Sequence, residues 1–411
     1  MTPVVITGAS VVTPFADDPR ALHDVLCAGG CGPGHVTTFT TAGLPCDLGG
    51  VIDPAVLRHA VSDRPSPTID KIGLLAVLGS RRALAAAAFA DGPPADLGVV
   101  LGTMFSGAHT IGEFDRRAQT AGPGLASPLD FANTVLNAAA GQAAIRLSLR
   151  GLNTTISGGH TSGLQAVGYG SELVGSGRAP ALLAGGAEEL AVESYLGFCR
   201  AGLMCGTNGR PGHVPVPFDA RRTGCALGEG AGFVLMESAS AAAERGARVR
   251  GEIAAFWSET DPDAFTRGFC GSATIASSIR AALDRAGVRP QEIDAVSAAA
   301  NGSYTGDSEE SDALGDVFGA RVPPPAVTAI KSVLGETLGA SGPLQVIAMC
   351  EAMNDSRLPG IRGFRDSGGS RISAALSSTV RALPIRTALV LATSPEGSCC
   401  ALVLRAPGGH Q

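Results

Sequence analysis

The sequence predicts an α/β protein built from two similar halves. Continuous apolar runs of strand length alternate with longer segments of helical spacing, the order expected of β-α-β units. The alternation pauses near residue 240 and restarts at 249, which fits an internal duplication. Composition agrees: 56 glycines with only 4% aromatic residues point to elements packed backbone against backbone. The halves are assigned to residues 1–245 and 246–411. No linker or low-complexity stretch divides them, so they read as one unit.

Residues 3–8 (VVITGA) form a first strand and 18–28 a short helix. Residues 29–66 mix Gly, Pro, Thr and Asp without a period and read as surface loops. Residues 69–90 have helical spacing and are apolar enough to be mostly buried, and 97–102 (LGVVLG) is a buried strand. Residues 103–150 read as a helical insertion, clearest at 108–119 and 138–149. A strand at 153–157 breaks at Gly158 and Gly159 before a small-residue helix from about Thr161. Strands at 181–186 and 232–237 complete this half. The second half runs strand 249–257, helix 271–286, strand 293–299, helix 307–319, strand 326–330 and helix 337–354. Paired strands at 386–393 and 399–405 end it.

A net charge of −6 and a pI near 5.7 give no reason to expect nucleic acid or an anionic membrane as partner. The best candidate for a membrane span, 73–90, is cut by Arg81 and Arg82, so no uninterrupted apolar run reaches the roughly 18 residues a span needs. The N-terminus enters a strand with no basic-then-apolar leader, so a cytoplasmic protein is expected. Ten cysteines at irregular spacing, with no C-x-x-C, argue against a metal site and read as buried free thiols. Cys399 and Cys400 are adjacent on a strand and should face opposite sides. No phosphate-binding glycine loop is present, and no cofactor is implied. Only two of the 31 basic residues are lysines, so Lys331 marks a place that wants a compact ammonium.

The break between strand and helix at 158–161 exposes whichever side chain sits there to the helix dipole and to free first-turn N–H groups. Nucleophilic enzymes place Ser or Cys at such a turn. Here the residue is His160. The run 156–167 (ISGGHTSGLQAV) resembles the active-site turn of β-ketoacyl synthases, which reads roughly TACSSGLQA. Further motifs follow in that family's order: AGGAEE at 184–189, PFDARRTGCALGEGAG at 217–232, ANGSYTGDSEE at 300–310 and IKSVLGETLGASG at 330–342. The resemblance implies a thiolase-like fold, with duplicated halves in α-β-α-β-α layers.

Ketosynthases hold the acyl chain on a cysteine and use two histidines for decarboxylation and enolate stabilisation. The matching positions here are His160, Asn301 and Glu336. A histidine cannot carry a thioester, Asn301 loses proton transfer, and Glu336 puts an anion where negative charge develops. Lys331 or His160 would neutralise it. Glu310, which matches the glutamate of the family's histidine loop, is the expected partner of Lys331. The family's flexible aromatic gate is replaced by ATSPEGSCC at 392–400, where Pro395 and Glu396 stiffen the loop.

With nucleophile, histidines and gate all replaced, the chain resembles the chain length factor of type II polyketide synthases. The resemblance implies a non-catalytic subunit that pairs with an active ketosynthase as a heterodimer. The acyl carrier protein and its polyketide chain would be engaged mainly through that partner. Strand 153–157 would join its counterpart, and Gly107, Ala108, Thr110, Ile111 and Phe114 would line the tunnel's far end. Small residues there suit a long or straight chain, such as a reduced or polyene one. Two other readings stand beside it: an acyltransferase of altered chemistry using His160, and a scaffold homodimer.

Overall fold

A computed structural model describes residues 2–59, 69–90, 92–207 and 213–408. The strands are β1 (Val4–Val12), β2 (Gly98–Gly102), β3 (Asn153–Ile156), β4 (Ala181–Glu188) and β5 (Gly230–Ser238) in the first half. The second half supplies β6 (Gly251–Thr260), β7 (Ala295–Ser297), β8 (Ala326–Thr328), β9 (Thr387–Thr393) and β10 (Ser398–Arg405). They form one sheet in the order β8-β7-β9-β10-β6-β1-β5-β4-β2-β3. Within each half the third, second, fourth, fifth and first strands lie side by side. The senses also repeat: β2 is parallel to β3 and β4, as β7 is to β8 and β9, while β5 and β10 run antiparallel to their neighbours. The halves meet where β1 pairs with β6, Val4 opposite Ile253. The fold is the duplicated, thiolase-like one expected.

The principal helices are α1 (Pro19–Cys27), α2 (Lys71–Ala86), α3 (Ala108–Ala121), α4 (Ala138–Leu147), α5 (Ser162–Gly175), α6 (Val192–Arg200), α7 (Ser272–Ala286), α8 (Tyr304–Phe318) and α9 (Ser341–Asp355). Alternation along the strands sorts side chains into layers. Val99 and Leu101 pack with Ile72, Leu75 and Ala139 on α2 and α4. Val100 and Leu182 turn the other way, towards Leu164 and Val167 on α5 and Leu344 and Ile347 on α9. In the second half Leu389 and Leu391 meet Ile279 and Leu314 on α7 and α8, while Val390 joins the α5–α9 layer. Cys399 and Cys400 fall in different layers, as their alternation requires. Seven of the ten cysteines are buried, but Cys31 is exposed and Cys27 and Cys199 are partly so.

The structure departs from the sequence expectations at element ends. The helix expected to reach residue 90 stops at Ala86, because Ala88 turns left-handed at φ 49°. The region read as loops holds short strands Gly34–His35 and Leu48–Gly50 and the helix Pro54–His59; residues 60–66 lie outside the described ones. Helix α6 was not foreseen. Among the described residues no helix is long and apolar enough to cross a membrane, and no group of metal-ligating side chains is present.

Where α5 packs between the two halves of the sheet, backbones touch. A Cβ on Gly163 would lie 2.0 Å from the Gly339 carbonyl, and one on Gly186 would lie 1.9 Å from the same oxygen. Gly163→Ala should therefore cost about 1–3 kcal/mol by overpacking. Gly141→Ala on α4, where a Cβ meets nothing within 4 Å, should instead stabilise by up to about 1 kcal/mol through helix propensity. Urea denaturation of the two variants checks the pair.

Candidate functional site

The strand-to-helix break is held by its own hydroxyls. Thr161 Oγ1 donates to the Gly158 carbonyl at 2.7 Å and Ser162 Oγ to the Gly159 carbonyl at 2.6 Å, while the Gly158 N–H donates to Ser162 Oγ at 2.9 Å. Gly159 sits at φ 70°, a left-handed conformation natural to glycine. A Cβ there would approach Glu396 Oε2 to 2.9 Å, so the 394–397 turn closes over the break. That turn is short and tied, with the Ser394 N–H donating to the Ser398 carbonyl at 2.9 Å and the Gly397 N–H to the Ser394 carbonyl at 3.1 Å. His160 lies beneath it, 3% exposed, its ring stacked on Phe198 of α6 at 5.6 Å and 17°.

The structure brings His160, Asn301 and Glu336 together. The centre is Glu336, fully buried. Its Oε2 accepts from Lys331 Nζ and Asn301 Nδ2, both at 2.8 Å, and faces His160 Nδ1 at 3.5 Å. Its Oε1 accepts from the Leu338 N–H at 3.0 Å and Ser341 Oγ at 2.8 Å. Burial by itself pushes this carboxyl up, but the Lys331 ammonium and the His160 ring outweigh it and hold the group well below the usual carboxylate range. Since the carboxylate accepts only, the His160 proton belongs on Nδ1. His160 Nε2 then faces away, buried and with no hydrogen-bond partner among the described residues.

One expected pairing is replaced by another. Lys331 binds Glu336 and the Ala299 carbonyl, the latter at 2.8 Å, and does not pair with Glu310. Ala299 stands between the two: its N–H donates to Glu310 Oε1 at 2.7 Å while its carbonyl takes the lysine. Glu310 Oε2 is left without a partner, and burial pushes the carboxyl up to about 7.

Of the residues expected to line a tunnel, Gly107 and Thr110 have a different local task. A Cβ on Gly107 would lie 2.6 Å from Asp70 Oδ2, and Thr110 Oγ1 donates to that oxygen at 3.4 Å. Their small size therefore serves packing against Asp70, which caps α2 through the Gly73 N–H. No side chain of α3 is buried: Ala108 is half-buried, Ile111 is exposed, and Phe114 lies 5.8 Å from the ring of Phe131. Phe131, Leu129, Val135, Leu136 and Ile145 are all exposed, Ile145 by 78%. Beside them β3 forms the free edge of the sheet. Two residues the sequence reading passed over are Phe198, on the unforeseen α6, and Ser341. The i, i+3 spacing of buried Tyr195 and Phe198 was the available signal for that helix.

Residues 1–242 match the β-ketoacyl synthase N-terminal domain, and residues 252–365 match the β-ketoacyl synthase C-terminal domain. The chain belongs to the β-ketoacyl synthase family. It is 30% identical to the tetracenomycin polyketide synthase ketoacyl synthase alpha subunit of Streptomyces glaucescens, over 88% of this chain and 87% of the relative. It is 27% identical to a 3-oxoacyl-[acyl-carrier-protein] synthase 2 of Synechocystis sp., over 87% and 86%. Among solved structures, the ishigamide ketosynthase/chain length factor superposes with a TM-score of 0.88 at 27% identity, covering 99% of this chain and all of that one. The protein is thus ketosynthase-like, similar to polyketide and 3-oxoacyl synthases alike.

Two predictions follow from these charges. Lys331→Met leaves Glu336 buried without its cation and should cost about 3–5 kcal/mol in chemical denaturation. Adding Glu336→Leu should recover much of that loss. Buried Glu189 and Glu310 are pushed up to about 8 and about 7, from an ordinary 4.5. Their contribution to stability is present in full below about 4.5 and is lost as pH rises through 7 and 8. Glu336 has the opposite sign, its contribution vanishing as pH falls below the ordinary carboxylate value. The melting temperature should therefore peak at mildly acidic pH and decline towards pH 8, which a calorimetric pH series measures.

Proposed function

We propose that this chain is a non-catalytic, chain-length-factor-like subunit that pairs with an active ketosynthase in type II polyketide assembly. The observation that carries the proposal is the state of Glu336. An ionised carboxylate stands where condensation must stabilise an enolate, and an imidazole stands where a thiolate must take the acyl chain. Both Glu336 oxygens are occupied by partners within the chain, and the 394–397 turn closes over the site. Bond formation then belongs to the partner, which engages the acyl carrier protein with its polyketide chain. Residues 1–245 and 246–411 serve as the two ketosynthase-like halves.

The free edge of β3 and the apolar side chains beside it support a partner on that face. A neighbouring strand would satisfy the unpaired backbone groups, and burial of Leu129, Phe131 and Ile145 would remove apolar surface from water. On this reading Ala108, Ile111 and Phe114 line the shared tunnel, with Gly107 and Thr110 behind them against Asp70. A second reading has one observation in its favour, the unpartnered His160 Nε2. It would make His160 the nucleophile of an acyltransferase through an acyl-imidazole.

One set of measurements separates these. Purified alone, the chain should release no carbon dioxide from malonyl-loaded carrier protein and acquire no acyl mass. Coexpressed with an intact Cys-His-His ketosynthase, it should purify as a 1:1 complex, which Phe131→Glu disrupts. Within that complex Ala108→Phe should shorten the product. An acyl adduct lost in His160→Phe would favour the second reading, and condensation by the isolated chain would refute the first.

A further inference from the structure

We infer that Cys46 and Cys205 form a reversible redox couple, a dithiol that a hydroperoxide converts to a disulfide. The inference stands independently of the subunit reading. The two Sγ atoms lie 3.0 Å apart although the residues are 159 positions apart in the chain. Both side chains are fully buried. Cys46 leads into the short strand Leu48–Gly50, and Cys205 sits in the turn after α6, where its N–H donates to the Cys225 carbonyl at 2.8 Å. Tyr195, Phe198, Met204 and Leu227 pack around both, so tertiary structure alone holds the sulfurs together. Closing from this contact to a disulfide bond of about 2 Å needs a movement of only about 1 Å.

The two sulfurs are unequal. The contact with the Cys205 sulfur lowers the Cys46 thiol against the effect of burial, and the Leu48 backbone adds to the lowering. The same contact raises Cys205, and burial raises it further. Cys46 is accordingly the attacking thiolate and Cys205 the resolving thiol. Gly206, next to Cys205, packs closely against His213, its Cβ position lying 2.8 Å from that ring.

The Cys46 thiolate attacks one peroxide oxygen and the O–O bond breaks. The departing hydroxide takes up a proton as water and leaves a sulfenic acid on Cys46. The Cys205 sulfur then attacks the Cys46 sulfur, the S–O bond breaks, and hydroxide leaves with the Cys205 proton as a second water. Two electrons pass from the dithiol to the peroxide, and an external dithiol returns them. The bond would clamp the 44–48 segment to the turn following Phe198, the ring on which His160 rests.

Reduced full-length protein is treated with hydrogen peroxide, alkylated in denaturant, digested without reduction and mapped by mass spectrometry. The expected product is a Cys46–Cys205 linked peptide pair lighter by two hydrogen atoms and lost on reduction, with Cys350 and Cys400 alkylated. Oxidation should also raise the melting temperature by about 5 °C, reversibly. Cys46→Ala and Cys205→Ala should each abolish link and rise. Complete alkylation of both cysteines after peroxide overturns the inference, as does oxidation confined to Cys31 or ending as sulfinic acid on Cys46. The wild-type map decides even if a variant fails to fold.

Discussion

The site depends on a single buried carboxylate. Glu336 is surrounded by the inner layer of the fold, where an isolated anion would cost several kcal/mol. It is tolerated because Lys331, Asn301, Ser341 and the Leu338 N–H occupy both oxygens, and because His160 presents its proton side to it. These partners come from the strand-to-helix break, the 299–303 loop, the 330–336 turn and the start of α9. Each element is therefore fixed in place by one charge as much as by its own packing. On the proposed reading, a side chain that in a condensing enzyme would have to move protons serves as a structural anchor.

The duplicated topology explains why those elements converge. Repeating the same strand order in both halves places α5 and α9 in one layer shared by the two halves of the sheet. That layer is thin enough for backbones to touch, hence glycine at 163, 186 and 339. The N-terminus of each central helix opens at the same place. His160 precedes α5 and Glu336 precedes α9, so the site is made where two equivalent helix starts face each other.

The periphery obeys a different rule. The 103–150 insertion carries apolar side chains such as Leu129, Phe131 and Ile145 that find no cover among the described residues, next to a strand at the edge of the sheet. Small residues in this region do not all report on free space. Gly107 is small because Asp70 must reach the N-terminus of α2, and Thr110 shares that carboxylate. The Cys46–Cys205 pair shows the same dependence on distant contacts: nothing about residues 46 and 205 taken separately distinguishes them from the other buried cysteines.

Periodicity and motif order in the sequence were enough to establish the layered α/β fold, the strands of the large sheet, every principal helix but α6, and the meeting of His160, Asn301 and Glu336. These are local or collinear signals: apolar alternation survives in each segment, and the motifs keep their sequence order. Pairings across the fold were decided only in three dimensions. Lys331 pairs with Glu336 and the Ala299 carbonyl, while the Ala299 N–H goes to Glu310. Helix α6, the ring of Phe198 on His160 and the Cys46–Cys205 contact were likewise settled by packing. A one-dimensional pattern fixes which face a side chain leaves by, whereas its partner depends on the positions of residues far away in the chain.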